Sequence, residues 1–298
     1  QARVVEEMGM RGVLSFEATE RAGSELARLG LEENVAAITA ASGDSSLVDA
    51  MMCFHTTFTC SPAYVTEAFE LAGDLGVLTH CHVNEGVHEP RWALEHHGKR
   101  TLEHYRDLGV TGDRMLASQV VQLSEVERQI LAEDGVRCVH MPLSNCEVGG
   151  GIAPIPELLE AGVTMGLGSD GYVNDFYEVM RGAFMMHKGR LCDPTVMDAR
   201  TVFDLATRGG AAALDRPDLG FIGEGARADL QLITCDLPTP VTAENLLDQL
   251  VLWRNGSHVT DVMVEGNWTV RHGELLTADL GELADETARQ ARRLWEKR

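Results

Sequence analysis

Six short apolar runs, each closing on or near a polar residue and separated from the next by a helix-like stretch, constrain this chain most. They are 10–16 (MRGVLSF), 50–55 (AMMCFH), 77–83 (VLTHCHV), 115–121 (MLASQVV), 136–141 (VRCVHM) and 163–168 (VTMGLG). Their starts lie about 20–40 residues apart, the length of a β/α unit. Amphipathic segments fill the gaps at 61–75, 91–107, 124–134 and 154–161. Ser61-Pro62 has the form of a helix cap followed by proline at the first helical position. Gly76, Gly109, Gly135 and Gly162 stand where helices should stop before the next strand. Such units dictate parallel strands joined by right-handed crossovers, which suits a doubly wound sheet or a barrel. Polar placement selects between them. His55, His82, Gln119, His140 and Asp170 lie at or just beyond the C-terminal ends of different strands. A barrel gathers all those ends at one mouth, whereas an open sheet binds ligands mainly at its switch point. The expected fold is α/β, a (β/α)8 TIM-type barrel.

Past about residue 195 the pattern changes. Residues 200–214 read as a helix, and 218–276 alternate short strands with turns. Glu265-Gly266-Asn267 and His272-Gly273 are hairpin signals. The expected domains are a barrel over 1–217, a small C-terminal β-sandwich part over 218–279 and a charged helix over 280–298. In that helix Leu283, Ala291, Leu294 and Trp295 are available for packing, and Trp253 and Trp268 are assigned to the β core.

The net charge of −21 disfavours nucleic acid and anionic membrane as partners. No apolar run reaches 18 residues and no signal-peptide pattern opens the chain. The seven cysteines form no CxxC pair, which points to reduced thiols in a cytoplasm. Lysine occurs at positions 99, 188 and 297 alone. That composition suits a high-salt surface or the codon usage of a GC-rich genome equally.

Four segments can carry chemistry. In Thr79-His80-Cys81-His82-Val83-Asn84-Glu85 the two histidines share a strand face, with Glu85 in the loop beyond. One imidazole can hold a metal while the carboxylate beside it moves protons; a strand that merely buries two histidines is the plainer reading. In Gly166-Leu167-Gly168-Ser169-Asp170-Gly171 the glycines allow close packing. The aspartate can bind a metal or accept a proton from its water, or can cap a helix. His140-Met141-Pro142-Leu143-Ser144-Asn145 and His55-Thr56-Thr57-Phe58-Thr59-Cys60-Ser61-Pro62 are strand ends running into polar loops. Four such elements at β/α spacing are hard to attribute to structure alone.

Together they resemble the amidohydrolase superfamily, in its cytosine-deaminase-like and chlorohydrolase-like branch. There strand 5 carries a signature like HxHxAE, strand 7 HNPxSN and strand 8 GLGTDG. This chain has HCHVNE (80–85), HMPLSN (140–145) and GLGSDG (166–171), with HTTFTCSP (55–62) similar to the strand-4 signature and GEGARADLQLI (223–233) to the closing element. SFEATERAG (15–23), SDGYVNDFYEVMR (169–181) and PTPVTAEN (238–245) resemble the aminohydrolases associated with selenium-dependent purine metabolism. The resemblance implies His82 as a metal ligand and Asp170 as a ligand that also accepts a proton from the attacking water. It implies Glu85 as the proton shuttle to the leaving nitrogen, and His55, Gln119, Glu17, Arg21 and His140 as substrate contacts. The implied cofactor is one divalent metal, zinc before iron or manganese. The implied activity is hydrolytic deamination of an amino-substituted heterocycle such as a purine or pterin, with a small-molecule heterocycle as partner and a homodimer as assembly. Displacement of chloride from a triazine-like ring, or a catalytically silent barrel serving as scaffold or subunit, are the alternatives. No lysine lies at a strand end, which disfavours a carboxylated-lysine centre.

Two departures stand out. Gln119 occupies the strand-6 position that the family usually gives to histidine; it can donate a hydrogen bond but cannot act as a cationic electrophile. The strand-1 His-x-His of the family has no counterpart, since His80-Cys81-His82 belongs to strand 5. Six barrel strands are visible, so on the order of 60 residues of barrel are expected upstream, and the chain is expected to be a fragment, with a split enzyme completed by another chain or a degenerate relative as the alternatives. Among lesser features, His96, His97 and His104 are expected at the surface, and His88 shares the Glu85 loop, where substrate contact is the minority reading. Met185 to Lys188 should pack a helix on the barrel, and Asn174 or Asp175 should cap a helix or support Asp170.

Overall fold

The expected alternation is realised as consecutive parallel pairs. The computed structural model describes residues 1–41, 47–171, 173–237 and 239–297; Tyr172, Pro238 and Arg298, which fall within segments read above, lie outside the described residues. A short helix, α1 (Ala2–Glu7), leads into β1 (Gly12–Leu14), and α2 (Ser24–Ala41) follows. The next strand position is bent at Met51. β2 (Val48–Ala50) pairs in parallel with β1, and β3 (Met52–Cys53) pairs in parallel with β4 (Thr79–Val83). Between them runs α3 (Pro62–Leu75), whose cap is the one the sequence implies: the Ser61 hydroxyl accepts the Tyr64 N–H, Pro62 starts the helix, and Gly76 ends it at φ 72°. After β4 come α4 (His88–His97), α5 (Thr101–Asp107), β5 (Met115–Gln119), α6 (Glu125–Glu133), β6 (Arg137–His140), α7 (Pro142–Glu147), α8 (Ile155–Glu160) and β7 (Met165–Leu167).

From β3 to β7 every strand pairs in parallel with its successor in sequence. No reversal of order creates a switch point, and the result is the TIM-type arrangement. Register assigns the faces. His82, Ser118, Val139 and Gly166 lie in one row across the sheet, and Cys81, Ala117, Cys138 and Met165 in the next. The second row is fully or almost fully buried, against the helices. The first row shares its face with a smaller apolar cluster of Met51, Leu116 and Ala213, flanked by Val13, Leu78, Val139 and Leu214.

After β7 the chain forms α9 (Phe176–Leu191), α10 (Ala199–Asp204), one π-helical turn at Leu205–Gly209 and α11 (Gly210–Ala213). Close approach to β7 requires glycine here: a Cβ on Gly209 would sit 2.3 Å from the Met165 carbonyl oxygen, and one on Gly166 3.0 Å from the Gly210 Cα. Then come β8 (Leu230–Ile233), α12 (Leu246–Trp253), β9 (Val259–Val264), β10 (Asn267–Arg271) and β11 (Glu274–Leu275). These strands form one antiparallel sheet in the order β11-β10-β9-β8. The β9–β10 hairpin turns through Glu265 and Gly266, both at positive φ, as its signal predicts. Arg11, just before β1, ties this sheet to the barrel by pairing with Asp229 at 2.6 Å and with Glu265.

Several local expectations change. The helix expected over 91–107 is two helices, broken at Gly98 with φ 70°. A helix, α7, replaces the polar turn after β6, and α12 interrupts the segment read as strands and turns. The last helix, α13 (Leu280–Trp295), has no buried residue, so Leu283, Leu294 and Trp295 keep much of their surface exposed. Trp253 is 67% exposed and is no core residue. Among the described residues no helix is long and apolar enough to cross a membrane.

Candidate active site

The strand ends converge as the barrel requires. His80 and His82 occupy the half-buried face of β4, between the buried Thr79, Cys81 and Val83. The His82 backbone N–H donates to the His55 carbonyl at 3.0 Å, and its Nδ1 lies 3.3 Å from the same oxygen. His55 sits just past β3, with its backbone N–H on the Ala18 carbonyl at 2.9 Å and its Nδ1 2.8 Å from the Thr59 hydroxyl. Ala18 bridges to Phe54, which brings the loop after β1 to the same place. Glu17 Oε2 thereby reaches 3.9 Å from His82 Nδ1, and Arg21 lies 3.9 Å from the other Glu17 oxygen.

On the opposite flank, Asp170 accepts hydrogen bonds from the Ser144 hydroxyl at 2.6 Å, the Gly171 N–H at 2.7 Å and the Gln119 amide at 3.1 Å. Its partial burial favours the neutral acid, but these three donors and nearby His82 outweigh that and hold the carboxyl below its ordinary value. Glu85 responds the other way. Burial pushes its carboxyl up, His82 offsets part of the rise, and Asp170 adds to it. Two carboxyl groups within mutual reach are thus driven apart, one toward holding a proton and one toward giving it up.

The backbone around them is strained. Asn84, Gln119, Val120 and Asp170 have φ of 52°, 77°, 47° and 59°, a region that costs non-glycine residues about 1–3 kcal/mol each. All four stand at or just beyond strand C-termini. Asp170 does not serve as the cap of the following helix, since Asp175 accepts the Tyr177 N–H and caps α9.

A pocket of about 320 Å³ opens beside His55, His82 and Glu85, with Phe58, His88 and Gly150 also on its wall. The His88 ring meets the Phe58 ring edge-on at 4.9 Å. Another pocket of about 380 Å³ lies at the far end of β5, around Asp113 and Arg114, away from these groups.

The structure therefore brings Glu17, His55, His82 and Glu85 to one place, with Arg21 beside Glu17 and with Asp170 and Gln119 on the adjoining flank. It does not bring His140 there. His140 is 1% exposed, and its Nε2 lies 3.0 Å from the buried His187 Nε2 on α9. Register explains this: Val139 shares the row of His82, so His140, one residue on, faces the helices. Sequence reasoning gave no role to Ser144, Thr59, Asn84 or Glu89. Ser144 was visible in the HMPLSN segment, whereas Glu89 offered only its spacing, one helical turn past Glu85.

Glu17, His55 and His82 each offer one donor atom, and these atoms lie within 4.8 Å of one another. Burial lowers the pKa of His55 and favours the neutral imidazole that metal binding needs. Its Nδ1 is engaged by Thr59, which leaves Nε2 as the free donor. Nitrogen and carboxylate donors at this spacing suit a divalent zinc-like ion, and the implied ligand His82 is one of the three, while Asp170 stands outside this cluster.

Comparison with known proteins agrees. Residues 1–269 match the amidohydrolase family. The chain is 30% identical over 297 residues to the 5'-deoxyadenosine deaminase of Methanopyrus kandleri, covering 98% of this chain and 69% of that protein. It is 34% identical over 270 residues to the 5-methylthioadenosine/S-adenosylhomocysteine deaminase of Thermococcus sibiricus, covering 89% of this chain and 63% of that one. Among solved structures, an adenosine deaminase from Xanthomonas campestris with bound zinc superposes with a TM-score of 0.93 at 27% identity, over 99% of this chain and 69% of that chain. The atrazine chlorohydrolase of Arthrobacter aurescens shares the fold, with a TM-score of 0.85 at 22% identity over 96% and 67%. On the motifs, the strand order and these matches, the chain belongs to the amidohydrolase family.

Proposed function

We propose that this protein is a metal-dependent deaminase of an adenine-type nucleoside, with His82, Glu85 and Asp170 as its reaction centre. The observation that carries the reading is the placement of two carboxyl groups near the His82 imidazole, Glu85 on the pocket wall and Asp170 held by three hydrogen-bond donors. Hydrolytic deamination must withdraw a proton from water and deliver one to the departing nitrogen, because ammonia leaves poorly unless protonated. Asp170, present as the carboxylate, can take that proton transiently and, as the weaker base, pass it on. Glu85, biased toward its acid form, is suited to deliver at the pocket wall. A divalent metal, when bound, supplies Lewis acidity that makes water acidic enough to react near neutral pH. His82 would hold it with Asp170, and Glu17 and His55 are close enough to share in ligation or to meet the substrate. Gln119 orients Asp170 in place of the histidine usual at its position.

Zinc is the metal we favour, since the donor set is nitrogen and carboxylate and the Xanthomonas relative was crystallised with it. An adenine-type substrate is favoured over a triazine because the relatives at 30% identity or above named here are deaminases of adenosine derivatives. We place the protein in the cytoplasm on its seven unpaired cysteines and propose a homodimer, for which the exposed Leu280, Leu283 and Leu294 of α13 offer a face. The test is ammonia release from 5'-deoxyadenosine, methylthioadenosine and a chlorotriazine by zinc-loaded protein. Release from the nucleosides that is lost in Glu85→Gln supports the reading. Turnover of the chlorotriazine alone, or full turnover in Glu85→Gln, overturns it.

A further inference from the structure

We propose that Glu89 is a positioning residue for Glu85, a buried carboxyl that locks the loop after β4 and thereby fixes where Glu85 enters the pocket. The inference rests on the reading of Glu85 as the proton carrier.

Glu89 lies in the first turn of α4, where an acidic side chain would ordinarily face solvent and complement the helix dipole. Instead it is 3% exposed. Its Oε2 accepts the backbone N–H of Asn84 at 2.5 Å. Asn84 immediately precedes Glu85, is fully buried and holds the strained φ of 52°. That conformation persists only where surrounding contacts over-determine it, and those contacts are all present. The Asn84 carbonyl accepts the N–H groups of Val121 and Gln122 at 3.2 and 2.9 Å. Its side-chain amide donates to Glu127 Oε1 at 2.8 Å. Glu127, itself fully buried, is held by the Ser124 N–H at 2.9 Å and the Arg100 guanidinium at 2.7 Å. Glu89 is thus the group that anchors the Asn84 N–H, while the Asn84 carbonyl and side-chain NH2 are anchored to the next β/α unit.

The other Glu89 oxygen faces the loop after β3. The Thr56 hydroxyl, adjacent to His55, sits close enough to favour the ionised carboxyl, although neither Thr56 Oγ1 nor Glu89 Oε1 reaches a hydrogen-bond partner. Burial outweighs Thr56 and Asn84 and pushes the carboxyl up to about 8, so at neutral pH Glu89 acts mainly as a neutral strut. One side chain therefore holds the residue before Glu85 and lies near the residue after His55. Such placement matters because a reacting group displaced by about 1 Å can lose on the order of a hundredfold in rate.

The experiment compares Glu89→Ala, Glu89→Asp and Glu89→Gln in the zinc-loaded protein by hydrogen exchange over residues 80–90, steady-state kinetics and metal content. Glutamine keeps an oxygen for the Asn84 N–H, so exchange at wild-type rates and a kcat within about threefold are expected. Alanine removes the acceptor and aspartate draws it back. Both should speed exchange in that segment by tenfold or more and lower kcat by about 30- to 100-fold, with KM within about threefold and metal content unchanged. If alanine prevents folding, aspartate carries the comparison. Wild-type exchange in the alanine or aspartate variants, loss of metal together with kcat, or a glutamine variant as impaired as aspartate overturns the proposal. A protein that deaminates nothing would overturn the role of Glu85, and the exchange rates would still decide whether Glu89 fixes the loop.

Discussion

Gly150→Ala perturbs the site without altering the chemistry of any side chain named above. Gly150 lies on the pocket wall in the loop after α7, and a Cβ added there would sit 2.4 Å from the Glu85 carbonyl oxygen. Ordinary contact begins near 3.4 Å, so one backbone must move by about 1 Å. Gly150 cannot yield freely. Its N–H donates to the Asn145 carbonyl at 2.8 Å, and its own carbonyl accepts the Gln122 amide at 2.6 Å. Strain passed to the Glu85 carbonyl acts on the loop that carries the proposed proton shuttle. Overpacking of this kind costs about 1–3 kcal/mol, or roughly 2–5 °C in Tm for a chain of this size. Displacing Glu85 by about 1 Å should lower kcat by about a hundredfold. Gly86→Ala is the control, because a Cβ there meets nothing within 4 Å. Thermal unfolding and ammonia-release kinetics of both variants make the test. If Gly150→Ala matches wild type in Tm and kcat, the close approach of the two loops is not real and the reasoning fails. If Gly86→Ala falls as far, the effect belongs to the loop sequence and not to the contact.

Ser144→Ala removes the shortest hydrogen bond to Asp170 and should raise that carboxyl, moving the acidic limb of the kcat/KM profile upward in pH and lowering the plateau roughly tenfold; an unmoved limb would separate Asp170 from the titration. Glu89 holds a proton in the folded protein up to about pH 8 that the unfolded chain gives up near the ordinary carboxyl value. Its contribution to stability is therefore full below about pH 4.5 and declines as pH rises to about 8, because the unfolded state binds fewer protons over that window. Urea melts across it should show a shallower decline for Glu89→Gln than for wild type, and parallel curves would refute the assignment. Arg11→Ala should cost about 2 kcal/mol by leaving the part-buried Asp229 without its partner, seen as a lower urea midpoint with an unchanged slope.

The barrel was legible because five polar residues sit at strand C-termini, a placement that helix or strand propensity alone does not produce. Boundaries were less so. α2 escaped notice because its buried positions, among them Ala27, Gly30 and Asn34, include small and polar groups that make no apolar run. α12 was hidden in a segment whose hairpin signals dominated the reading. At the site, the His82–Glu85 pair was readable from strand period and loop position. Glu17 could be seen as a loop residue, but its approach to His82 depends on the Ala18–Phe54 bridge, which no local pattern encodes. His140 misled because its motif is real while its strand parity is opposite to that of His82, and parity becomes visible only with the register. Gln119 shares that parity, yet its positive φ turns it back toward Asp170. The buried positioning groups Asn84, Glu89 and Glu127 have no sequence signature, since burial of a carboxyl is decided by what packs around it.

The central claim is that His82 anchors a metal at the strand ends, and elemental analysis of the purified protein tests it most directly. Wild-type protein and His80→Ala should carry stoichiometric divalent metal, because His80 lies deeper on β4 with its Nδ1 3.7 Å from the Cys53 thiol, while His82→Ala should lose it. Metal retained in full by His82→Ala, or lost in His80→Ala but not in His82→Ala, would contradict the account.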